Sequence, residues 1–267
     1  MKEVLDRAIK FIESRFGSAD CAVLGCDIDS EKNIHLYSNK ALKGYSKANG
    51  IYEKVVSFRD LTEKQRNALH RYLVVGPSVR QTNLPESDEI YTKDLEADLF
   101  GVNRHPKYIF IPAGQITREI TGDDEPYSQI LEFTKTNPED SILVHEFAHS
   151  ITPETSRKLA KRFGLGRNRP FSRAIQEEMF AKYTEMLYLQ ENYPHIANQR
   201  SQQFKDEIER DTAFRKSHPE YPAISDNPHG PNPHPPASRL YFSIVENPEL
   251  KRFVDSIYKE SAPETKP

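Results

Sequence analysis

Two histidines and a glutamate near the middle of the chain have the residue types and the spacing of a metal site. The run His145-Glu146-Phe-Ala-His149 is an HExxH pattern. In an α-helix, residues four apart lie one turn above each other, so both imidazoles can reach one ion about 2 Å away. Glu146 lies beside them, where it can hold a water molecule bound to that ion. The pattern predicts a metal-binding helix that also carries a general base.

The neighbouring residues favour a helix that is capped and buried. Asn137 is a good N-cap, Pro138 suits the first helical position, and Glu139 and Asp140 complement the positive end of the helix dipole. The helix is predicted over residues 138–152, and it is apolar on nearly every side. Burying two imidazoles and a carboxylate is costly unless they are paired, and one metal ion pairs all three. The alternative is an HExxH that arose by chance.

A hydrolytic metal site of this kind needs a third protein ligand and one open position. The metzincin pattern requires glycine and histidine at downstream positions that hold Thr152 and Thr155 in this chain. That class is therefore excluded, and a carboxylate on a following helix is the next candidate.

Glu178 is the predicted third ligand, on a helix expected over residues 172–191. It shares a helix face with two alanines, whose small side chains permit a close approach to the HExxH helix. Its neighbour Glu177 stands one turn from Arg173, as in an ordinary surface ion pair. The alternative for Glu178 is a solvated acidic helix face.

The two helices together resemble the gluzincin branch of zinc metallopeptidases. The segment Glu178-Met-Phe-Ala-Lys-Tyr-Thr-Glu185 is similar to the E-G-F-A-x-Y-x-E segment of the aminopeptidase-like gluzincins and to the E-F-F-A segment of the lethal-factor-type peptidases. The likeness covers residues 108–185. It implies a zincin-like catalytic core with one zinc ion per chain, held by His145, His149 and Glu178.

Three departures from these families bear on the activity. The interval of 28 residues between His149 and Glu178 is longer than in the aminopeptidase family. The G-x-M-E-N element that captures a substrate amino terminus is absent. Phe171 stands where lethal-factor-type peptidases carry a catalytic tyrosine. The first two departures favour an endopeptidase, with a protein or peptide substrate, over an aminopeptidase.

The resemblance implies a hydrolysis in which zinc acidifies a bound water and Glu146 transfers its proton to the leaving amine. A second donor would share the charge that develops on the oxyanion. Tyr241 is the preferred candidate for this donor, because it opens the last predicted helix just after a proline-rich segment. Tyr183 is expected in the core. The remaining candidates are His218, His229 and His234.

Other functions remain open on the same metal core. One is an exopeptidase or a hydrolase of non-peptide amides. Another is a regulatory or binding protein similar to the ImmA-type regulators, which also pair a helical HExxH with an E-x-x-F-A helix but often carry a helix-turn-helix that this sequence lacks. A site that binds metal without catalysis is disfavoured by the intact Glu146.

Three further segments have two interpretations each. Residues 107–112 predict a strand, either a sheet edge that pairs with an extended substrate or an interior strand. Residues 157–173 carry seven basic residues and no acid, which indicates a preference for acidic substrates or a solvated helix and loop. Residues 218–236 hold seven prolines and three histidines, and predict a non-helical spacer or lid rather than a second metal site.

The hydrophobic periodicity predicts an α+β fold, with a mixed α/β N-terminal part and a mostly helical C-terminal part. The other predicted elements are a helix at 1–16, strands at 21–28 and 33–38, a helix at 62–73, a loop at 76–94, and helices near 126–135, 195–214 and 239–258. The predicted domains are an α/β part over residues 1–100, a zincin-like core over 101–260 and a flexible tail over 261–267.

Composition excludes several classes. With 37 basic and 40 acidic residues among 267, the chain has no overall attraction to nucleic acid or to a membrane surface. It contains no apolar run that would span a bilayer, and its N-terminus is typical of an amphipathic helix rather than of a signal peptide. Cys21 and Cys26 are predicted to be buried thiols, which suits a reducing compartment. We expect a cytoplasmic protein, or one exported without a classical signal peptide, such as a secreted effector or toxin.

Overall fold

The structure is a computed structural model, and it describes residues 2–16, 22–48, 50–66, 69, 78–81, 99–102, 107–112, 138–149, 170–218 and 233–261. The chain forms two compact units, one made of Met1–Glu13 and Ser18–Phe147 and the other of Ser14–Gly17 and Ala148–Pro267. The domains expected over residues 1–100, 101–260 and 261–267 stay predictions.

A mixed β-sheet organises the first unit. Its described strands are β1 (Ala22–Ile28), β2 (Asn33–Ser38), β3 (Ser46–Ala48), β4 (Ile51–Ser57), β5 (Ser78–Gln81) and β6 (Lys107–Pro112). They lie in the order β3-β4-β2-β1-β6-β5. The pairs β3–β4, β4–β2 and β2–β1 are antiparallel, β1 and β6 are parallel, and β6 and β5 are antiparallel.

The turn between β1 and β2 is organised by Asp29. Its Oδ1 accepts the backbone N–H groups of Glu31 and Asn33, at 2.9 and 2.8 Å. A short carboxylate that accepts nearby N–H groups stabilises a tight turn and lets the chain reverse. The strands predicted at 21–28 and 33–38 are confirmed, apart from residue 21, which lies outside the described residues.

The sheet extends beyond the strands that the sequence predicts. The patterns gave no strand where β3 and β4 lie. The loop predicted over residues 76–94 is wrong for residues 78–81, which form β5, and its other residues lie outside the described ones. Strand β5 is only four residues long, too short to show a hydrophobic alternation. It forms through its backbone pairing with β6, which no local pattern reveals.

Strand β6 lies inside the sheet. It pairs with β1 on one side and with β5 on the other, so the prediction that residues 107–112 form a sheet edge is wrong and the interior alternative is confirmed. Among the described strands, β5 and β3 are the terminal ones. Pro112 is the last residue of β6, a position where its missing N–H costs little.

The core of the first unit lies on β1 and β2. Leu24, Cys26, Ile34 and Leu36 are almost fully buried in it. Burial raises the pKa of the Cys26 thiol, so Cys26 is the inert buried thiol that the sequence predicts. Helix α1 (Lys2–Phe16) buries one face, formed by Leu5, Ala8, Phe11 and Ile12, as its periodicity predicts.

Helices dominate the rest of the described chain. They are α2 (residues 139–149), α3 (Pro170–Asn192), α4 (Pro194–Ser217), α5 (His234–Glu246) and α6 (Pro248–Ser261). The helices predicted at 172–191 and 195–214 are confirmed. Of the helix expected at 62–73, residues 62–66 and 69 are described; residues 63–66 and 69 are helical, and Thr62 precedes the first turn. The helix expected at 126–135 lies outside the described residues.

The last predicted helix is wrong in its bounds. Instead of one helix over residues 239–258 there are two, because Pro248 has no N–H with which to continue α5. Asn247 opens α6, since its Oδ1 accepts the N–H groups of Glu249 and Leu250. Helix α5 also begins at His234, inside the segment expected to be non-helical. Two prolines fill its first turn, where a missing N–H is tolerated.

A buried ion pair joins α3 to α4. Arg200 donates from Nε and Nη2 to the two carboxylate oxygens of Glu185, at 2.7 and 3.1 Å. Their side chains are 7% and 1% exposed. The ring of Phe204 lies 4.7 Å from the guanidinium carbon. Because both charges are out of water, each depends on the other for its stabilisation.

The coarse fold prediction is confirmed: the chain is α+β, with a mixed sheet in the first unit and mostly helices in the second. The zincin-like character of the core stays a prediction. None of the described helices has both the length and the apolar composition to cross a membrane.

Replacing Arg200 by methionine should lower the free energy of unfolding by about 3–5 kcal/mol, because Glu185 would keep a buried and unpaired charge. Urea denaturation followed by far-ultraviolet circular dichroism measures the change. The matched control is Arg215→Met on the same helix, whose ion pair with Asp211 is more exposed and should contribute about 1 kcal/mol or less. If both variants lost the same small amount of unfolding free energy, the buried pair of Arg200 and Glu185 would not stabilise the packing of α3 against α4 as described.

A second prediction concerns His35, whose two ring nitrogens each lie within hydrogen-bond distance of a carboxylate. Its Nε2 lies 3.0 Å from Asp29 Oδ2 and its Nδ1 lies 2.9 Å from Glu53 Oε1. Partial burial alone would lower the pKa of His35, but the hydrogen bonds and charges of Glu53 and Asp29 outweigh it and raise that pKa. Both ring nitrogens can donate only in the protonated imidazole.

A raised folded-state pKa means that His35 contributes stability below its unfolded pKa, and that this contribution is lost as the pH rises through the folded value. His35→Gln should therefore destabilise the protein more at about pH 6 than at about pH 8. Thermal unfolding of both proteins across this range measures the difference, with His195→Gln on the exposed start of α4 as the control. A penalty that does not change with pH would show that His35 is not charged in the fold.

Candidate metal centre

Helix α2 carries the HExxH pattern, and its start is held by Pro138. The carbonyl oxygen of Pro138 accepts the N–H groups of Ser141 and Ile142, at 2.9 and 3.3 Å, and Ser141 Oγ donates to the same oxygen at 2.8 Å. Pro138 thus occupies the N-cap position, so the helix begins one residue later than predicted. Asn137, the predicted N-cap, and residues 150–152 at the predicted end lie outside the described residues.

Helix α2 is buried on nearly every side, as the sequence predicts. Its buried apolar residues are Ile142, Leu143, Val144, Phe147 and Ala148. The carboxylate of Asp140 is also buried, at 1% exposure, and accepts a hydrogen bond of 2.8 Å from Nε of Arg7 on α1. A buried carboxylate is stable only with such a partner, so this pair fixes the first turn of α2 to α1.

Glu178 lies on a buried face of α3. It is 4% exposed and is flanked by Met179, Phe180 and Ala181, which are fully buried. Glu177 is partly exposed. The solvated acidic face that was the alternative for Glu178 is therefore wrong, since this carboxylate is removed from water.

The structure brings His145, His149 and Glu178 together. One candidate ligand atom from each lies within 4.8 Å of the other two. His149 Nε2 and Glu178 Oε2 are 3.3 Å apart. Two ligands about 2.0–2.1 Å from a tetrahedral ion are themselves about 3.3 Å apart, so this separation fits a shared metal. Two imidazoles and one carboxylate also form a suitable donor set for a divalent ion.

Glu178 presents its two oxygens to different partners. While Oε2 faces His149, Oε1 accepts a hydrogen bond of 2.7 Å from Nδ1 of His234, at the start of α5. Nζ of Lys182 lies 3.6 Å from the same Oε1. The carboxylate is therefore held on the side that faces away from His149 as well.

Lys182 connects Glu178 to a polar contact between α4 and α5. Its ammonium is 1% exposed and donates to Glu207 Oε2 at 2.9 Å. Ser238 Oγ donates to the same oxygen at 2.7 Å. The ammonium also lies 4.1 Å from the centre of the Phe204 ring, a favourable cation–π distance. These contacts compensate the burial of a lysine.

Glu146 follows His145 directly and is partly exposed, whereas His145 is buried. A carboxylate in this position remains accessible to water while its neighbours hold an ion. The arrangement can thus combine a metal with an adjacent proton acceptor, which is the chemistry of metal-assisted hydrolysis.

Tyr241 lies in the helical core. It is 3% exposed, and its ring meets those of Phe204 and Tyr183 edge-on at centroid distances of 5.5 and 6.2 Å. Burial, together with the charge of Glu185, raises the pKa of Tyr241 to about 12. Glu185 is seven residues, or about two turns, along α3 from Glu178. The role of Tyr241 as an oxyanion donor stays a prediction.

The other donor candidates lie in different surroundings. Tyr183 is a core residue as predicted, and its hydroxyl donates to Asp255 Oδ1 at 2.6 Å. His218 is the C-cap of α4, where its partly exposed ring stacks on Phe214 at a centroid distance of 4.4 Å. His229, the side chain of Phe171 and most of the basic segment 157–173 lie outside the described residues.

Two partners of Glu178, Lys182 and His234, are not among the predictions from the sequence. Lys182 carried a signal in the sequence, because it stands four residues after Glu178 on the same helix. From the sequence, His234 is a candidate oxyanion donor and one of three histidines of a disfavoured second metal site. It is 56 positions away from Glu178 in the chain, and no local spacing could bring the two together.

Replacing Glu178 by glutamine should abolish most metal binding, because the amide keeps the shape but not the charge of the ligand. We expect about one zinc per chain in the wild type, measured by plasma mass spectrometry after zinc loading and dialysis. Glu177→Gln, the adjacent and partly exposed residue, is the control and should retain the metal. Full zinc content in Glu178→Gln would show that the third ligand is another residue.

Comparisons of the chain with protein-family models, with curated proteins and with solved structures found no match. The resemblance to gluzincins accordingly depends on the local pattern of the two helices. What the structure confirms is the coarser statement that His145, His149 and Glu178 form a buried group compatible with a metal ion.

Proposed function

We propose that this protein is a zinc-dependent endopeptidase of the gluzincin type. The observation that supports this most directly is the group of His145, His149 and Glu178, with Glu146 beside it and partly open to water. A structural zinc site has four protein ligands, whereas a catalytic site has three and leaves one position for water or substrate. Among the described residues the group has three candidate ligands and an adjacent carboxylate, which matches the catalytic kind.

In the proposed mechanism, the protein positions the ion and moves one proton. A zinc ion held by His145, His149 and Glu178 would supply Lewis acidity, which would make a water molecule more acidic and polarise the scissile carbonyl. His145 and His149 hold their imidazoles one turn apart on the rigid α2, and Glu178 approaches from α3. Glu146 accepts the proton of the attacking water on its carboxylate and delivers it to the leaving amine.

The proposed substrates are proteins or peptides cut internally. The sequence lacks the element with which aminopeptidase-like gluzincins capture a free amino terminus, which favours an endopeptidase. The balanced charge of 37 basic against 40 acidic residues gives no reason to propose nucleic acid or a membrane as partner. The proposal includes a cytoplasmic location, since the use of only two cysteines suits a reducing compartment.

The second candidate function is a regulatory or binding protein on the same metal scaffold. The likeness of α3 to the E-x-x-F-A helix of ImmA-type regulators favours it. The partly exposed Glu146 favours the enzyme, because a protein that only binds metal needs no proton acceptor beside the ion.

Glu146→Gln should keep zinc but lower the rate of peptide hydrolysis by about 10²–10⁴-fold, the usual contribution of a general base. The assay is digestion of a degenerate peptide library, with new termini identified by mass spectrometry. Internal cleavages indicate an endopeptidase, and removal of single terminal residues an exopeptidase.

The controls for this assay are Glu177→Gln, which should cleave like the wild type, and a chelator, which should stop cleavage in both. A zinc-loaded wild type that cuts no peptide would contradict the enzyme and favour the regulatory function. Cleavage that persists unchanged in Glu146→Gln would rule out Glu146 as the base.

A further inference from the structure

We propose that His234 is a positioning residue, which holds the Glu178 carboxylate in the orientation needed to bind the metal. This inference rests on the metal site of the proposed function. It gives His234, at the start of α5, a role in that site that neither the HExxH pattern nor the choice of Glu178 as third ligand predicts.

The first argument is the division of contacts on the carboxylate. His234 Nδ1 lies 2.7 Å from Oε1, the length of a charge-assisted hydrogen bond, while Oε2 lies 3.3 Å from His149 Nε2. A carboxylate that binds a metal is ionised and can only accept, so Nδ1 of His234 must carry the proton. With Oε1 engaged in this way, Oε2 is the oxygen directed toward His149.

The second argument is the rigidity of the backbone that carries His234. Pro233 stands at the N-cap of α5, and Pro235 and Pro236 follow in its first turn. Each proline fixes its own φ near −65°, so the start of this helix has little conformational freedom. Further along the helix, Ala237 and Tyr241 anchor α5 in the core of the second unit.

The third argument concerns exposure. The His234 side chain is 52% exposed, whereas the Glu178 side chain is 5% exposed. A half-exposed imidazole gains little from packing, so its placement is not explained by burial of apolar surface. For the buried Glu178, in contrast, a donor on Oε1 is valuable, because an unsatisfied buried carboxylate is strongly destabilised.

Lys182 supports the same oxygen but in a different way. At 3.6 Å from Oε1 its ammonium acts through charge rather than through a short hydrogen bond, and it is already bonded to Glu207. Substituting Lys182 would disturb a buried network, whereas substituting His234 removes a donor at the protein surface. His234 is therefore the residue that tests the inference cleanly.

The experiment compares the zinc affinity of the full chain, by competition with a chromophoric chelator, in the wild type, His234→Leu and His234→Asn. The leucine removes the donor, and the asparagine amide can place an N–H where Nδ1 lies. We expect His234→Leu to bind zinc 10–100-fold more weakly, about the effect of losing an outer-shell partner, and His234→Asn to recover most of the affinity. His195→Leu is the matched control, because His195 also stands in the first turn of a helix that begins with proline. It should bind zinc like the wild type.

Two further measurements separate positioning from other roles. In the metal-free protein, His234→Leu should lower the melting temperature, because it leaves Glu178 Oε1 without its hydrogen-bond donor, and His234→Asn should restore it, whereas a role in packing alone would destabilise both variants alike. With Co²⁺ in place of zinc, metal-saturated His234→Leu should keep the visible absorption bands of the wild type, because it loses no ligand. Bands of a site with a different number of ligands would identify His234 as a ligand and overturn the inference.

The outcomes distinguish this inference from the proposed function. Equal zinc affinity in the wild type and His234→Leu, or equal losses in the leucine and asparagine variants, would overturn the positioning role. A wild type that binds no zinc would overturn both. If zinc binds and the affinities follow the expected order but no peptide is cleaved, the positioning role stands and the endopeptidase does not.

Discussion

Burying a charged side chain is unfavourable unless a partner of opposite charge or a hydrogen-bond partner is buried with it. This constraint governs the helical part of the protein. Helix α3 carries Glu178, Lys182 and Glu185 at spacings of four and three residues, and all three are at most 4% exposed. Such a stripe would normally face solvent. Here it is stable because α4 supplies Arg200 and Glu207 as partners.

The same constraint fixes the register of the helices. Because α4 and α5 both bond to groups along this stripe, sliding either helix by one turn would separate buried charges from their partners. Apolar contacts alone tolerate small shifts, since one aliphatic side chain can replace another at similar volume. The polar pairs are directional and therefore select one arrangement.

This arrangement sets the surroundings of the candidate metal centre. Its candidate ligand Glu178 belongs to the stripe, and the second oxygen of Glu178 is held by His234 and approached by Lys182. Metal sites depend on such outer partners, because they fix the orientation of the ligand before the ion arrives. The two histidines need less support, since a single rigid helix spaces them by one turn. The site thus combines one preformed pair with one ligand that its surroundings must orient.

The features that depend on local spacing could be predicted from the sequence. It predicted α1, β1, β2, the HExxH helix, and the courses of α3 and α4, because periodicities of two and 3.6 residues reflect one buried face. It also selected Glu178 over Glu177, from small neighbours on one helix face. The break at Pro248 also has a signal in the sequence, since proline cannot continue a helix. The prediction of one helix over residues 239–258 did not use that signal.

The features that depend on partners far apart in the chain could be identified only in the folded protein. Strand β5 exists through its pairing with β6, and β6 is interior because two strands flank it, which no hydrophobic pattern of six residues encodes. The contact between His234 and Glu178 has the same origin. Hydrogen bonds and buried charges act over a few ångströms in space, whatever the distance along the chain, so local patterns identify the candidates and the fold selects the pairs.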